Sequence, residues 1–277
     1  MTLPLAAAAM MIASGSLHAV VNAVIKSGKN KMAGRATIDG TAALILLPGL
    51  LVVPLPHGAW GWLVASTAIH ALYLLAVVRT YELADFSAAY PIMRGLAPPM
   101  TAIVSLALLH ERASAIQIAG IAIVAGGILI LSIGRHLSRQ ALGWAAICGG
   151  CTAAYTVADA HGVRAAPTVA SFIVWDFVLM GPMIVAQFAV MTRGAVFADM
   201  RRQWGPGAIA GALSIGTYGL ALAAFARGPT APLAALRETG MVTALLIGVF
   251  WLREPVTAHR IAAIGAILCG AALILLR

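Results

Sequence analysis

Arg94 and Arg237 are the residues of this chain best placed to do chemistry, because each stands inside a long apolar run. The first lies in YPIMRGLAPP, residues 90–99, and the second in PLAALRETG, residues 232–240. A guanidinium at the centre of a membrane helix costs about 2.5–3.5 kcal/mol by insertion scales. What it offers in return is bidentate grip on a carboxylate, phosphonate or phosphate. The plain alternative is that each arginine donates to carbonyls of neighbouring helices and locks them together. Glu238 follows Arg237 directly and points about 100° away on a helix of 3.6 residues per turn. It is therefore expected either to pair with Arg94 or to carry a coupling proton. Tyr90, Arg94 and Thr101 share one helix face, which is expected to line a cavity. Pro98 and Pro99 leave the carbonyls of Arg94 and Gly95 without helical donors, so a broken helix is expected there. Unpaired backbone at membrane depth is tolerated where it lines a wet cavity.

Three further sets of polar residues fall on single helix faces. His18 and Asn22 are four apart, and His70 and Tyr73 three apart. Thr152, Tyr155 and Asp159 follow i, i+3, i+7. Histidine can also carry a proton near neutral pH, although a lone membrane histidine is more often a packing residue. Asp159 stands close to the end of its apolar run and is expected to be wet. Asp176 is deeper, and a structural hydrogen bond is expected for it. Glu111 and Glu254 end their runs beside Arg112 and Arg253 and read as anchors or gate salt bridges rather than substrate ligands.

The elements that must hold these residues are membrane helices. Of 277 residues, 61% are hydrophobic and 10% charged, with mean hydropathy +0.95; soluble domains carry about 25% charge. Taking about 20 apolar residues per crossing, the chain divides into ten spans near 3–25, 37–55, 60–81, 85–108, 113–133, 140–161, 168–191, 205–226, 230–252 and 257–276. The first lacks a basic leader region and reads as an uncleaved span. The net charge of +9 comes mostly from the gaps between spans, so it reflects basic loops rather than nucleic-acid binding. The gaps on one side hold twelve Lys and Arg residues and those on the other hold four, which by the positive-inside rule puts both termini outside the cytoplasm.

An offset of 143 residues aligns RGLAPPMTAIVSLALLHERASAIQIAGIAIVAGG, 94–127, with RETGMVTALLIGVFWLREPVTAHRIAAIGAILCG, 237–270. It matches Arg94 with Arg237, Glu111 with Glu254 and Gly127 with Gly270. A repeat of five spans inserts its second copy upside down. The fold class expected is thus an all-α integral membrane protein, ten transmembrane helices arranged as two inverted five-helix repeats around a central cavity. The repeats are 1–134 and 135–277. Such inverted repeats are common in secondary transporters, with the substrate site at the midplane where the copies meet.

The stretches DFSAAYPIMRGLAPPMTAIVSLALLHERASAIQIAGIAIVAGGILIL and PLAALRETGMVTALLIGVFWLREPVTAHRIAAIGAILCGAALILL resemble the ends of the two halves in the drug/metabolite transporter superfamily, EamA type. The resemblance implies a ten-helix basket whose cavity is lined by spans 1, 3, 4, 6, 8 and 9. It implies solutes such as amino acids, sugars, nucleotide-linked compounds or drugs, often moved outward, and termini kept in the cytoplasm, against the loop charges. It also gives Tyr90, before Pro91, the place of a cavity-lining aromatic in the aromatic amino-acid exporters. This chain departs from many members in putting arginine in that region.

The function expected is secondary, non-ATP transport of a small anionic or zwitterionic metabolite by alternating access. Its candidate binding residues are Arg94, Arg237, Tyr90, His70, Tyr73, His18, Asn22, Thr152 and Tyr155, with Glu238, Glu111 and Glu254 in coupling or gating. No cofactor or metal is implied: Cys148, Cys151 and Cys269 read as small packing residues, and no nucleotide-binding motif occurs. The partners expected are the solute and the bilayer, for a monomer or homodimer in a bacterial inner membrane. The alternative is a membrane-embedded enzyme, but neither HExxH nor an acidic prenyltransferase-type cluster is present. Trp60, Trp62, Trp144, Trp204 and Trp251 are assigned to the aromatic belts, without a stacking role.

Overall fold

The computed structural model of the chain describes residues 3–27, 30–84, 86–108, 110–134, 137–250 and 256–276, without the side chains of 22–27, 86, 87 and 108. Among them the regular elements are all helical. In chain order they are α1 (Leu5–Ser27), α2 (Lys31–Leu46) with a 3₁₀ extension (Leu47–Leu51), α3 (Trp60–Leu83), α4 (Phe86–Leu108), α5 (Ala115–Ile130) and α6 (Arg139–Ala165). Then come α7 (Val169–Met191), α8 (Val196–Arg202), α9 (Trp204–Phe225), α10 (Thr230–Arg237), α11 (Gly240–Phe250) and α12 (Ala258–Leu275).

Short polar residues set the helix starts. The side chains of Asn30, Ser138, Thr168 and Thr257 accept backbone N–H groups at the heads of α2, α6, α7 and α12. Ser114 and Gln117 form a reciprocal capping box on α5. At about 1.5 Å per residue, the 23 residues of α7 reach roughly 34 Å, enough for a hydrocarbon core of about 30 Å. Among the described residues six segments are long and apolar enough to cross a membrane: α3, α6, α7, α9, α10 with α11, and α12. The apolar part of α1 (Leu5–Val21) and α5 are shorter. Large side chains such as Val64, Ile103, Ile209 and Phe250 point outward unpaired, as lipid requires and water would not. The chain is a multi-pass integral membrane protein.

Three expectations about the helices change. Span 2 begins earlier than expected, at Lys31, so Arg35 is no loop charge: it lies within α2 and pairs with the buried Asp39 one turn on. Helix α4 runs unbroken through Pro91, Pro98 and Pro99. The discontinuity lies in the ninth span, where α10 ends at Arg237 and α11 starts at Gly240. The chain there tightens instead of unwinding. Amides of Glu238, Thr239, Met241 and Val242 each bond the carbonyl three residues back, at 2.9–3.1 Å, a 3₁₀ stretch of the sort found at hinges. Thr239 Oγ1 takes up the Leu236 carbonyl at 2.7 Å.

Glycines let helices meet backbone to backbone at this point. A Cβ on Gly15 of α1 would sit 2.2 Å from the Arg237 carbonyl oxygen, and one on Gly240 would sit 2.2 Å from Gly15 O. One residue before Gly15, where α1 meets α9, Ser14 and Thr217 exchange hydroxyl-to-carbonyl bonds of 2.6 Å in both directions. Helix α5 packs on α12, α2 on α7, α3 and α4 on α6, and α1 on α9, α10 and α11.

Candidate functional site

Helix α4 and the α10–α11 junction bring three charges together. Arg94 Nη2 lies 2.9 Å from Glu238 Oε1, with the two side chains 15% and 5% exposed. Of the two roles expected for Glu238, pairing with Arg94 is the one its geometry matches. Arg237 places its guanidinium 5.6 Å from the centre of the Tyr218 ring, a cation–π distance. The pairing is incomplete. Arg94 Nε, Arg237 Nε and Glu238 Oε2 are all buried with no hydrogen-bond partner. Buried polar atoms normally find partners, which sets these three apart.

A cavity opens among them, lined by Arg94, Arg237 and Glu238 with the hydroxyl-bearing Thr101, Thr152 and Thr156. Its charged lining is two guanidiniums and one carboxylate, a surplus of one positive charge. Its volume is about 10 Å³, roughly the room of one water molecule. Arg94 and Thr101 share it, as their common face implied; Tyr90 is half-buried between two apolar clusters instead.

His70, Tyr73 and Tyr155 form a cluster of rings outside the cavity lining. His70 stacks on Tyr155 at 4.0 Å, and Tyr73 meets Tyr155 edge-on at 5.7 Å. Thr152 lines the cavity one turn before Tyr155, its hydroxyl bonded to Cys148 O at 2.9 Å. His18 is half-buried on α1, where the charged groups acting on it are Arg237, Arg94 and Arg35. The side chain of Asn22 and the whole of Glu254 and Trp251 lie outside the described residues.

At one end of the bundle, Glu111 pairs not with its neighbour Arg112 but with Arg164 of α6, at 2.8 Å. It also accepts the Thr230 N–H and hydroxyl, both at 2.7 Å. Arg164 donates further to Phe225 O and Gly228 O, at 2.9 and 2.6 Å. One ion pair thus ties the entry to α5, the end of α6 and the α9–α10 turn.

Other expectations fail. Asp159 is not wet: it is 1% exposed, accepting from Ser66 Oγ at 2.6 Å and from the Tyr218 hydroxyl. Among the described residues Asp176 finds no hydrogen-bond partner, and both its oxygens are buried. Two belt tryptophans do touch rings, Trp62 stacking on His161 at 4.7 Å and Trp60 meeting Trp175 edge-on at 4.9 Å. Tyr218 and Arg164 escaped the sequence reading. A lone tyrosine among glycines and alanines, and an arginine near a helix end, look unremarkable until the partners are known.

Residues 139–276 match the model of the EamA-like transporter family. The chain belongs to that family. No curated protein matches it. A solved crystal structure is similar over 98% of this chain and 98% of its own, with TM-score 0.74 and 18% identity, a likeness of fold alone. The EamA-like match spans Thr152, Asp159, Tyr218, Arg237 and Glu238, while Arg94 and Glu111 lie before it. Members of the family are membrane transporters of the drug/metabolite type.

Proposed function

We propose that the chain is a secondary transporter for a small anionic or zwitterionic metabolite, held between Arg94 and Arg237. The observation that carries this is the surplus positive charge of the cavity, together with the unused Nε donors of both arginines. A carboxylate, phosphonate or phosphate satisfies those donors, and the free Glu238 Oε2 accepts an ammonium where the solute has one. Thr101, Thr152 and Thr156 supply neutral hydrogen bonds. His70, Tyr73, Tyr155, Tyr90, His18 and Asn22 are proposed as the surround that the solute meets as the cavity widens.

Alternating access follows from the architecture we propose, ten spans in two inverted repeats, 1–134 and 135–277. The packing supports it: exchanging the two halves turns the α3–α6 contact into α1–α9, and α4–α6 into α1 with α10 and α11, while α2–α7 and α5–α12 map onto themselves. The Glu111–Arg164–Thr230 knot is then one gate, and Glu254 is proposed for the other. Movement of solute is driven by an ion gradient, by exchange or by the solute's own gradient, and export is the direction proposed.

The test is a thermal-shift screen of the purified protein against anionic, zwitterionic and cationic metabolites, repeated on Arg94→Ala and Arg237→Ala. Stabilisation by anions or zwitterions that both substitutions abolish supports the reading. Stabilisation by cations alone, untouched by either change, overturns it.

A further inference from the structure

A second buried polar group adjoins the cavity and takes no part in the binding just described. Asp159 of α6 accepts from Ser66 and Tyr218, and His70 Nδ1 lies 2.9 Å from Ser66 O one turn away on α3. The Tyr218 ring meets Phe177 of α7 edge-on at 5.8 Å. Next to Phe177 in the chain is Asp176, with no solvent exposure and no hydrogen bond to either oxygen. The charged groups acting on it are carboxylates, Asp159 first and then Asp39.

These three carboxylates are provided for unequally. Asp39 has the Arg35 guanidinium. Asp159 has two hydroxyl donors, with Arg237 over the ring of one of them. Asp176 has no hydrogen-bond donor among the described residues. Of the elements packed on α7, α2 brings Arg35 and Asp39, α3 brings His70, α6 brings Asp159 and α9 brings Tyr218; their other charged side chains, and those of α8, lie in end turns. A buried carboxylate with no donor, facing two others, is not a sustainable ion. As a neutral acid it leaves far less unsatisfied.

We infer that Asp176 holds a proton in this conformation and that Asp159 and Asp176 together form the proton-binding site of the transporter. The site lies one tyrosine away from Arg237. The proton is taken from water on one face as an O–H bond on an Asp176 oxygen and returned to water on the other, with nothing oxidised or reduced. Its use in coupling rests on the transport reading; its existence does not.

The test is infrared difference spectroscopy of the purified full chain at neutral pH, in H₂O and D₂O. The wild type is expected to show the C=O stretch of a protonated carboxylic acid, shifted in D₂O. That band is lost in Asp176→Asn and reappears at a changed frequency in Asp176→Glu. A wild type without the band, or an Asp176→Asn protein that keeps it unchanged, overturns the assignment. So does a wild-type band that disappears when sodium replaces potassium at constant pH, which gives the site to a metal cation. Because no solute is needed, the two readings fail separately. A protein with the band but no arginine-dependent ligand loses the transport reading, and the converse result loses the proton site.

Discussion

Removing one partner of the Arg94–Glu238 pair should cost more than removing both. The two groups are 2.9 Å apart at their contact atoms and 15% and 5% exposed, so water screens them little. With charge centres about 4 Å apart and an effective dielectric near 20, their attraction is about 4 kcal/mol. Desolvation offsets much of that, but breaking such a pair from one side typically costs about 3–5 kcal/mol, because a bare charge stays buried. The two single substitutions should differ. Arg94→Met leaves Glu238 with the field of Arg237, which also acts on it. Glu238→Gln leaves two guanidiniums facing one cavity with no counter-charge. Glu238→Gln is therefore expected to be the worse, and Arg94→Met/Glu238→Gln to be no less stable than Glu238→Gln alone. Reversible unfolding in mixed micelles, followed by fluorescence of the six tryptophans, measures all four proteins. Coupling of at least about 1.5 kcal/mol is expected, the lower end for close charge pairs. Strict additivity of the two single changes would refute the pair as an energetic unit.

Gly15→Val should push α1 off the α10–α11 junction, since its Cβ would meet Arg237 O at 2.2 Å. A loss of about 1–3 kcal/mol is expected from such overpacking. Gly126→Ala, with nothing within 4 Å, is the matched control and should be neutral or stabilising by up to about 1 kcal/mol; thermal unfolding compares the two. Tyr218→Phe keeps the ring near Arg237 but deprives Asp159 of a donor, and should cost about 1–3 kcal/mol in the same unfolding assay. Arg164→Ala unties the end of α6 from Glu111 and from the α9–α10 turn. In a cysteine-free background, Ala234→Cys should then react faster with a small thiol reagent, and an unchanged rate removes the knot from gating.

The membrane class and the helical rods were legible in the sequence, and the Arg94–Glu238 contact was one of two roles open to Glu238, because each has a strong local cost. Apolar runs of about 20 residues have few other uses, and a buried guanidinium must find a partner. The unbroken α4 was not legible. Its three prolines raise the cost of helix without fixing where the chain gives way, and the junction formed at Arg237–Gly240, where a glycine permits backbone contact with α1. Asp176 was misread for a related reason. Whether a buried carboxylate finds a donor depends on which residues the other helices turn toward it, and α3 and α9 send their hydroxyls to Asp159. Arg164 looked like a loop charge because its carbonyl partners, Phe225 and Gly228, have no signature in side-chain type.

On the function proposed, the smallness of the space between the arginines bears on kinetics as well. A pocket with room for about one water cannot admit a metabolite by diffusion alone. Rapid-mixing records should therefore level off as solute concentration rises, at a ceiling set by how often the helices part. That plateau should be the same for every solute accepted.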